Sequence, residues 1–334
     1  MEWTELRQVP ELSPVPMQQH PAYGRACAAI GGRVAWFGLG PPRQPHAAAQ
    51  VLLRRWPLFG DFALIARGPV WNGPVSTPEA AEATLALVRL LRRRCRGVIA
   101  TPERSGGCDP LEGAGLLPMV TGSTLARLPL DGSEAERMAR LGAKWRNGLR
   151  RARSERLDLS QGPLPADADH WLLRREEAQA RSRGYKRLPR SFTYNWRVQN
   201  GARSARVFTA SFLGQPAAAM LFLLHGKSAT YHLGWSGEVG RRSGAHALLL
   251  WEASCWLADR GYRWADLGTL DTETLPGLAR FKLGAGAEPL QLGATWMDAP
   301  GAGLCARLFG HGPRRPDRPA AAPRGGPSTA RGRA

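Results

Sequence analysis

The residues with the clearest chemical potential lie between about Arg206 and Glu288. The run Gly240-Arg241-Arg242-Ser243-Gly244-Ala245-His246-Ala247 opens a strongly apolar helix. A helix N-terminus presents free backbone N–H groups and the positive end of a dipole, a natural seat for a pyrophosphate. Gly244 would let the backbone approach such an anion, and Arg241 and Arg242 would add charge-assisted bonds. The same loop also satisfies an ordinary helix cap. Upstream, Arg137, Lys144, Arg146, Arg150, Arg151 and Arg153 surround the apolar stripe Met138, Leu141, Trp145 and Leu149. That arrangement is either a solvated basic face or an anion-binding wall. Asp266 ends a strand, where a carboxylate serves as proton acceptor, orienting group or turn former. Lys282 is one of only four lysines, with Lys144, Lys186 and Lys227, among 46 basic residues.

The elements that must position these groups follow from pattern. Residues 33–39 and 61–71 are apolar, β-branched or aromatic runs ended by Gly and Pro, hence strands. Thr77-Pro78-Glu79 caps a helix that Gly97 stops, with strands at 97–102 and 123–130 beyond it. Ser133 and Glu136 form a capping-box pair, predicting one long helix to about Arg156. A polar Pro-containing stretch, 160–165, separates it from helices at 169–183 and 191–200, between which lies Gly184-Tyr185-Lys186-Arg187. Three strands, 205–212, 216–224 and 228–235, are spaced as an antiparallel meander, with Gly234 the expected bulge. A helix over 244–260, apolar almost all round, then packs deep on the sheet and feeds a strand at 262–267.

The net charge is +19, of which six arginines and Asp317 in the C-terminal tail account for +5, leaving +14 on the rest. Such a field suits nucleic acid, anionic lipid or a phosphate-rich co-substrate, although Arg-for-Lys bias dilutes the signal. The five cysteines are scattered, with no CxxC and no Cys/His grouping, so no metal site is expected. The first residues, Met1-Glu2-Trp3-Thr4-Glu5, lack a basic region followed by an apolar run, and no stretch of 18 apolar residues runs without charge. A cytoplasmic location is the resulting expectation.

Taken in order, Arg67-Gly68-Pro69-Val70, Lys144-x-Arg146-x3-Arg150-x-Ala152, Trp251 through Gly261, Asp266-Leu267-Gly268 and Gly277-Leu278-x2-Phe281-Lys282-x-Gly284-x-Gly286 resemble the FemAB-like branch of the GNAT acyltransferase superfamily, over about residues 15–297. The resemblance implies an α/β (α+β) chain of two tandem GNAT-like domains, each a mostly antiparallel mixed sheet flanked by helices. The boundaries expected are 1–160, ending in the basic helix, then 161–300, then a disordered tail over 301–334. It also implies transfer of an acyl or aminoacyl group to an amine. No cofactor would be held permanently; acyl-CoA or aminoacyl-tRNA would be the co-substrate. The acceptor would be a small-molecule or lipid-linked anionic amine, such as a cell-envelope (peptidoglycan) precursor, with tRNA and a peripheral membrane surface as further partners. Phosphate binding would fall on Arg146 or Arg150, and Phe281 with Lys282 near the active cleft. One departure is that His246 stands where the superfamily's acyl-CoA loop has Gly or Ala.

Amine acylation needs a neutral amine, a polarised carbonyl and a stabilised oxyanion. On this reading Lys282 and Asp266 are the catalytic candidates. Arg241, Arg242, Gly244, Tyr231, Gly234 and Trp235 bind the donor, with backbone N–H groups of 231–235 as oxyanion donors. Lys144, Arg146, Arg150, Tyr185 and Phe281 bind the acceptor, in a cleft between the two domains. His232 and His246 read as packed histidines. The competing reading is a non-catalytic RNA- or anionic-membrane-binding protein on a degenerate GNAT fold, using the basic face of the helix at 133–156.

Overall fold

The computed structural model describes residues 2–10 and 12–308. In chain order the elements begin with β1 (Trp3–Leu6), α1 (Pro21–Ala28), β2 (Arg33–Leu39), β3 (Ala47–Trp56), β4 (Gly60–Ala66), β5 (Val70–Trp71), α2 (Thr77–Arg92), β6 (Gly97–Thr101) and β7 (Leu117–Val120). Next come β8 (Thr124–Pro129), α3 (Glu134–Arg140), α4 (Ala143–Ser154), β9 (Asp158–Pro163), α5 (Trp171–Arg183), α6 (Arg190–Asn200), β10 (Ala205–Phe212), β11 (Gln215–His225) and β12 (Ser228–Ser236). The chain continues through α7 (Glu238–Arg242), α8 (Ala245–Ala258), β13 (Trp264–Thr269), α9 (Pro276–Gly284), β14 (Glu288–Gln291), β15 (Thr295–Asp298) and α10 (Ala302–Leu308).

The strands form two mixed sheets. The first runs β1-β2-β3-β4-β6-β15-β7, with β5 on β3; the second runs β14-β8-β13-β12-β11-β10-β9. Two halves of α/β type are therefore present, but strand pairing divides the chain differently from 1–160 and 161–300. β8, α3 and α4 belong with the second sheet, whereas β15 returns to the first. Asp109 anchors that return: its Oδ2 accepts from the Ala294 amide at 2.7 Å and from the Trp296 indole at 2.9 Å. Of the expected tail over 301–334, Ala302–Leu308 is helical and residues 309–334 lie outside the described residues.

The basic helix is two helices. Ser133 and Glu136 do form the capping box, but Leu141 is extended and the chain restarts at Ala143. The break lets Gly142 donate its amide to the Gly284 carbonyl at 2.9 Å, tying α4 to the end of α9. Likewise the helix at 77 is capped by Ser76, one residue earlier than expected. The polar stretch expected over 160–165 instead lies largely in edge strand β9, paired along β10. Backbone pairing suffices there because an edge strand need not be apolar on both faces.

Three buried clusters hold these layers. One fixes α2 to the first sheet, and one packs α4, α8 and α9 on the second. The third lies between the halves, where Met17, Ala22 and Ala26 from the first meet Phe192, Trp196 and Leu221 from the second. As its composition predicted, α8 is buried along most of its length, with Leu248, Leu249, Leu250, Trp251 and Leu257 inside.

Candidate active site

The second sheet opens in the middle. β12 and β13 are parallel partners only at Ser228–Trp264, Ala229–Ala265 and Thr230–Asp266, after which they diverge. Among the described residues the N–H groups of β12 that face β13 beyond Thr230 have no strand partner, so an acyl carbonyl entering this V would find donors there. One extra residue sits on β12 at this point: Leu221 faces Leu233 and Phe222 faces Tyr231, which leaves His232 as the bulge. The bulge thus falls two residues before the expected Gly234. Gly234 has another use, because a Cβ there would lie 2.0 Å from the Tyr231 hydroxyl. Glycine makes room for the Tyr231 ring to fold along the strand.

The β13 arm of the V carries Lys282. Its side chain leaves α9, is 5% exposed and donates from Nζ to the Thr269 carbonyl at 2.7 Å. No carboxylate pairs with it among the described residues, and burial brings its amine down to about 8. Phe281 beside it packs on Trp145 of α4, ring centroids 6.0 Å apart.

The β12 arm carries a cluster from α5. Gln179 donates to the Gly234 carbonyl at 3.3 Å and to the Tyr185 hydroxyl at 3.1 Å. Tyr185 in turn donates to Glu176 Oε1 at 3.1 Å. Glu176 is 3% exposed, with Oε2 lacking a hydrogen bond and the Arg187 guanidinium 3.5 Å away. Burial raises its carboxyl above the ordinary value, although Arg187 and Tyr185 oppose that. Glu176 and Gln179 escaped sequence reading because they sit among six arginines and glutamates of a helix with a weak apolar stripe; the adjacent Glu176-Glu177 pair in so basic a segment was the available signal. His232, bonded to Thr193 Oγ1 at 2.7 Å, is held down to about 4 by burial and is therefore neutral at pH 7.

Asp266 occupies the root of the V and is not a free base. It is 2% exposed and accepts from Arg67 Nη1 at 2.7 Å and from Arg127 Nε at 3.2 Å. Burial alone would raise its carboxyl, but Arg67 and Arg127 together hold it below the usual value. Arg67, 6% exposed, also reaches Glu103 at 2.6 and 2.9 Å, so it joins the end of β4 in the first sheet to β13 in the second. Arg127 stacks over Trp264, 4.4 Å from its centroid. Beside this network lies a cavity of about 490 Å³ whose wall includes Arg67, Glu103, Arg104, Arg127, Trp71 and Trp264.

The remaining expected contacts fall elsewhere. Residues 238–242 are a short helix rather than an open loop. The amides of Arg241, Ser243 and Gly244 are bonded to the carbonyls of Gly237, Val239 and Arg241. The Arg241 side chain donates to the Ser236 carbonyl at 2.7 Å, and Arg242 faces Glu238 at 3.6 Å on the surface. Gly244 does cap α8 in the left-handed region, φ 68°, where it faces Gly148 and Ala152 of α4. His246 Nε2 lies 3.1 Å from the Trp235 carbonyl, while the Trp235 ring packs edge-on to Trp171 under Arg175. Lys144 is exposed, Arg146 bonds to the Ala139 carbonyl and Arg150 to Asn147. All three ride on α4, whose apolar stripe packs on α8 and α9, so they belong to the second half and do not form a first-domain wall.

The second sheet is thus splayed between two parallel strands, with Lys282 bonded at one arm and buried Glu176 linked to the other, in a chain of two α/β halves. Residues 138–289 match the family model described as acetyltransferase (GNAT) domain, and the chain has the fold of the FemAB-like GNAT branch. The structure of FemX superposes with a TM-score of 0.71 at 12% identity, over 92% of this chain and 100% of that one. The C-terminal domain of a putative lysylphosphatidylglycerol synthetase from Agrobacterium fabrum gives 0.53 at 15% identity, over 87% and 92%. A tandem GNAT protein from the clavulanic acid biosynthesis pathway gives 0.51 at 12%, over 86% and 89%. At these identities the likeness is one of fold. No curated protein matches the chain in sequence.

Proposed function

We propose that the protein transfers an aminoacyl group from an ester donor of the aminoacyl-tRNA class to the amine of an anionic acceptor, a lipid- or nucleotide-linked cell-envelope precursor. The observation that carries this reading is Lys282: a buried ammonium without a counter-charge, brought to about 8 and fixed on the diverging arm of the V. Near neutral pH it is protonated yet a far better acid than an ordinary lysine. An alkoxide leaving from an ester needs such a proton, whereas a thiolate leaving from a thioester needs it much less.

In the proposed step the acceptor nitrogen attacks the donor carbonyl in the V. The C–N bond forms as unpaired β12 amides hold the oxyanion. Glu176 takes the proton released by nitrogen, and the C–O bond breaks as Lys282 gives its proton to the leaving oxygen. An ester donor also agrees with the turn before α8, where the amides of Arg241, Ser243 and Gly244 are bonded to the carbonyls of Gly237, Val239 and Arg241 and the Arg241 side chain is turned to the Ser236 carbonyl. The acceptor's anionic portion fits the arginine-lined cavity between the halves.

The test is transfer of label from aminoacyl-tRNA and, separately, from acetyl-CoA to a UDP-linked cell-wall peptide precursor. Transfer from the aminoacyl-tRNA alone is expected, reduced on the order of 10²-fold or more by Lys282→Ala but unaffected by Lys227→Ala. Equal transfer from acetyl-CoA would overturn the donor assignment, and loss of label from neither donor would overturn transferase activity itself.

A further inference from the structure

The first sheet ends, far from the V, in a hairpin that breaks the usual chemistry of turns. The last pair of β3 and β4 is Trp56–Gly60, leaving Pro57-Leu58-Phe59 as the loop. Loops of this kind favour Gly, Asn, Asp or Ser, which tolerate left-handed backbone and water. Here Leu58 holds φ 70° and is 102% exposed, and Phe59 is 67% exposed. A bulky side chain in the left-handed region is strained, and two adjacent large apolar side chains at a tip gain nothing from the fold.

What surrounds the tip has one sign of charge. Arg54 and Arg55 are exposed on β3 immediately before it. Arg96 lies beside Gly60 and donates its amide to the Asp61 carbonyl at 2.8 Å. Arg33, on the neighbouring strand, approaches Asp61 at 3.9 Å. Four arginines thus stand around the tip against that one carboxylate. Trp56, half-buried with its ring 4.6 Å from that of Phe62, sits between the apolar tip and the sheet. Apolar side chains at the extremity, a tryptophan above them and arginines at the same level match the order of layers at a bilayer surface: acyl chains, interface, phosphates.

We infer that the β3–β4 hairpin is a docking tip for an anionic phospholipid bilayer, with Leu58 and Phe59 entering the acyl boundary and Arg33, Arg54, Arg55 and Arg96 engaging headgroup phosphates. β4 runs from this tip to Arg67 at the cavity, so at about 3.3 Å per residue the cavity stands roughly 20–25 Å from the membrane end. A docked molecule therefore keeps its cleft clear of the lipid. Because the tip is remote from the V, the inference stands whether or not the catalytic reading does.

The full chain is sedimented with vesicles of phosphatidylglycerol and phosphatidylcholine, and with vesicles of phosphatidylcholine alone. Binding to the anionic vesicles is expected, weakening as salt rises. Leu58→Ser with Phe59→Ser should lower the partition coefficient by about tenfold or more. Arg54→Ala with Arg55→Ala should lower it by about 25-fold, at roughly fivefold per arginine. All these side chains are exposed, so the variants should melt like wild type and transfer to a soluble acceptor as it does. The arginines of the C-terminal tail are present in every variant and their contribution cancels. Equal binding to both vesicle types, or undiminished binding by the Leu58/Phe59 variant, would overturn the inference. So would a wild-type dimer in sedimentation that the same variant dissolves, because the tip would then belong to a second copy.

Discussion

Asp266 separates two roles that sequence alone left joined, and replacing it measures which one operates. In the structure it accepts from Arg67 at 2.7 Å and from Arg127 at 3.2 Å, bridging the two sheets. Breaking a buried ion pair from one side costs about 3–5 kcal/mol, because a charge is left behind without its partner. Arg67 would retain the partly exposed Glu103 at 2.6 Å, which places Asp266→Ala near the lower end, about 3 kcal/mol. For a domain of this size that corresponds to a melting point lower by roughly 6–12 °C. The sign with pH follows from the lowered carboxyl. Its stabilisation is fully present above the unfolded value, about 4, and is lost as pH falls through the lower folded value. Wild type and Asp266→Asn should therefore converge in stability at low pH and differ most near neutrality. Denaturant melts across pH, with Arg67→Met and the double variant completing a cycle, give the coupling between the two residues. A coupling below about 0.5 kcal/mol would refute the clamp. So would an Asp266→Ala protein of wild-type stability whose transfer alone has collapsed, since Asp266 would then be acting in the chemistry.

Lys282→Met should remove a burial penalty. The folded amine is at about 8 against roughly 10.4 unfolded, so wild type carries that penalty below pH 8 and sheds it between 8 and 10.4. After allowance for solvent screening the variant should be more stable by on the order of 1–2 kcal/mol at pH 7, with the gap closing by pH 10 in thermal melts. Gly234→Ala puts a methyl 2.0 Å from the Tyr231 hydroxyl, and about 1–3 kcal/mol of destabilisation should follow. Adding Tyr231→Phe should restore most of it, which calorimetry would register. Glu176→Gln should leave the fold intact but lower transfer on the order of 10²-fold. The acid limb of the wild-type pH–rate profile should stand above the ordinary glutamate value, the direction in which burial shifts this carboxyl.

The parts of the fold legible in the sequence are those whose signal is local. The meander of 205–236 declares itself by apolar runs and glycine turns, and α8 by being apolar on every side. β3 gave no such signal. Its opening Ala47, Ala48 and Ala49 have little intrinsic preference for strand, yet they are fully inside because neighbouring strands and helices close over them. β1 and α1 are short and depend on partners far along the chain: the Trp3 indole donates to the Ala83 carbonyl at 2.8 Å, and Asn200 bonds to the Ala22 carbonyl at 3.2 Å. Their stability is tertiary, and no window of sequence contains it.

The site divides in the same way. Lys282 stood out by type, one of four lysines in a chain that otherwise chooses arginine, and a compact ammonium whose proton affinity burial can tune is what guanidinium cannot supply. Its depression to about 8, however, comes from burial, with no carboxylate paired to it among the described residues, which composition cannot show. Arg67 and Asp266 were both visible as parts of a resemblance, but 199 residues separate them, and only their contact reveals that the carboxylate is already taken. With Asp266 committed to two arginines, any proton acceptor in the V must come from elsewhere, and Glu176 has the properties required. It is buried, raised above its ordinary value, and linked through Tyr185 and Gln179 to the carbonyl of Gly234 on the splayed strand. Two carboxylates in one protein are thus pushed in opposite directions, one down by arginines and one up by burial. That separation suits the lowered one to holding the halves together and, on the function proposed above, the raised one to moving a proton.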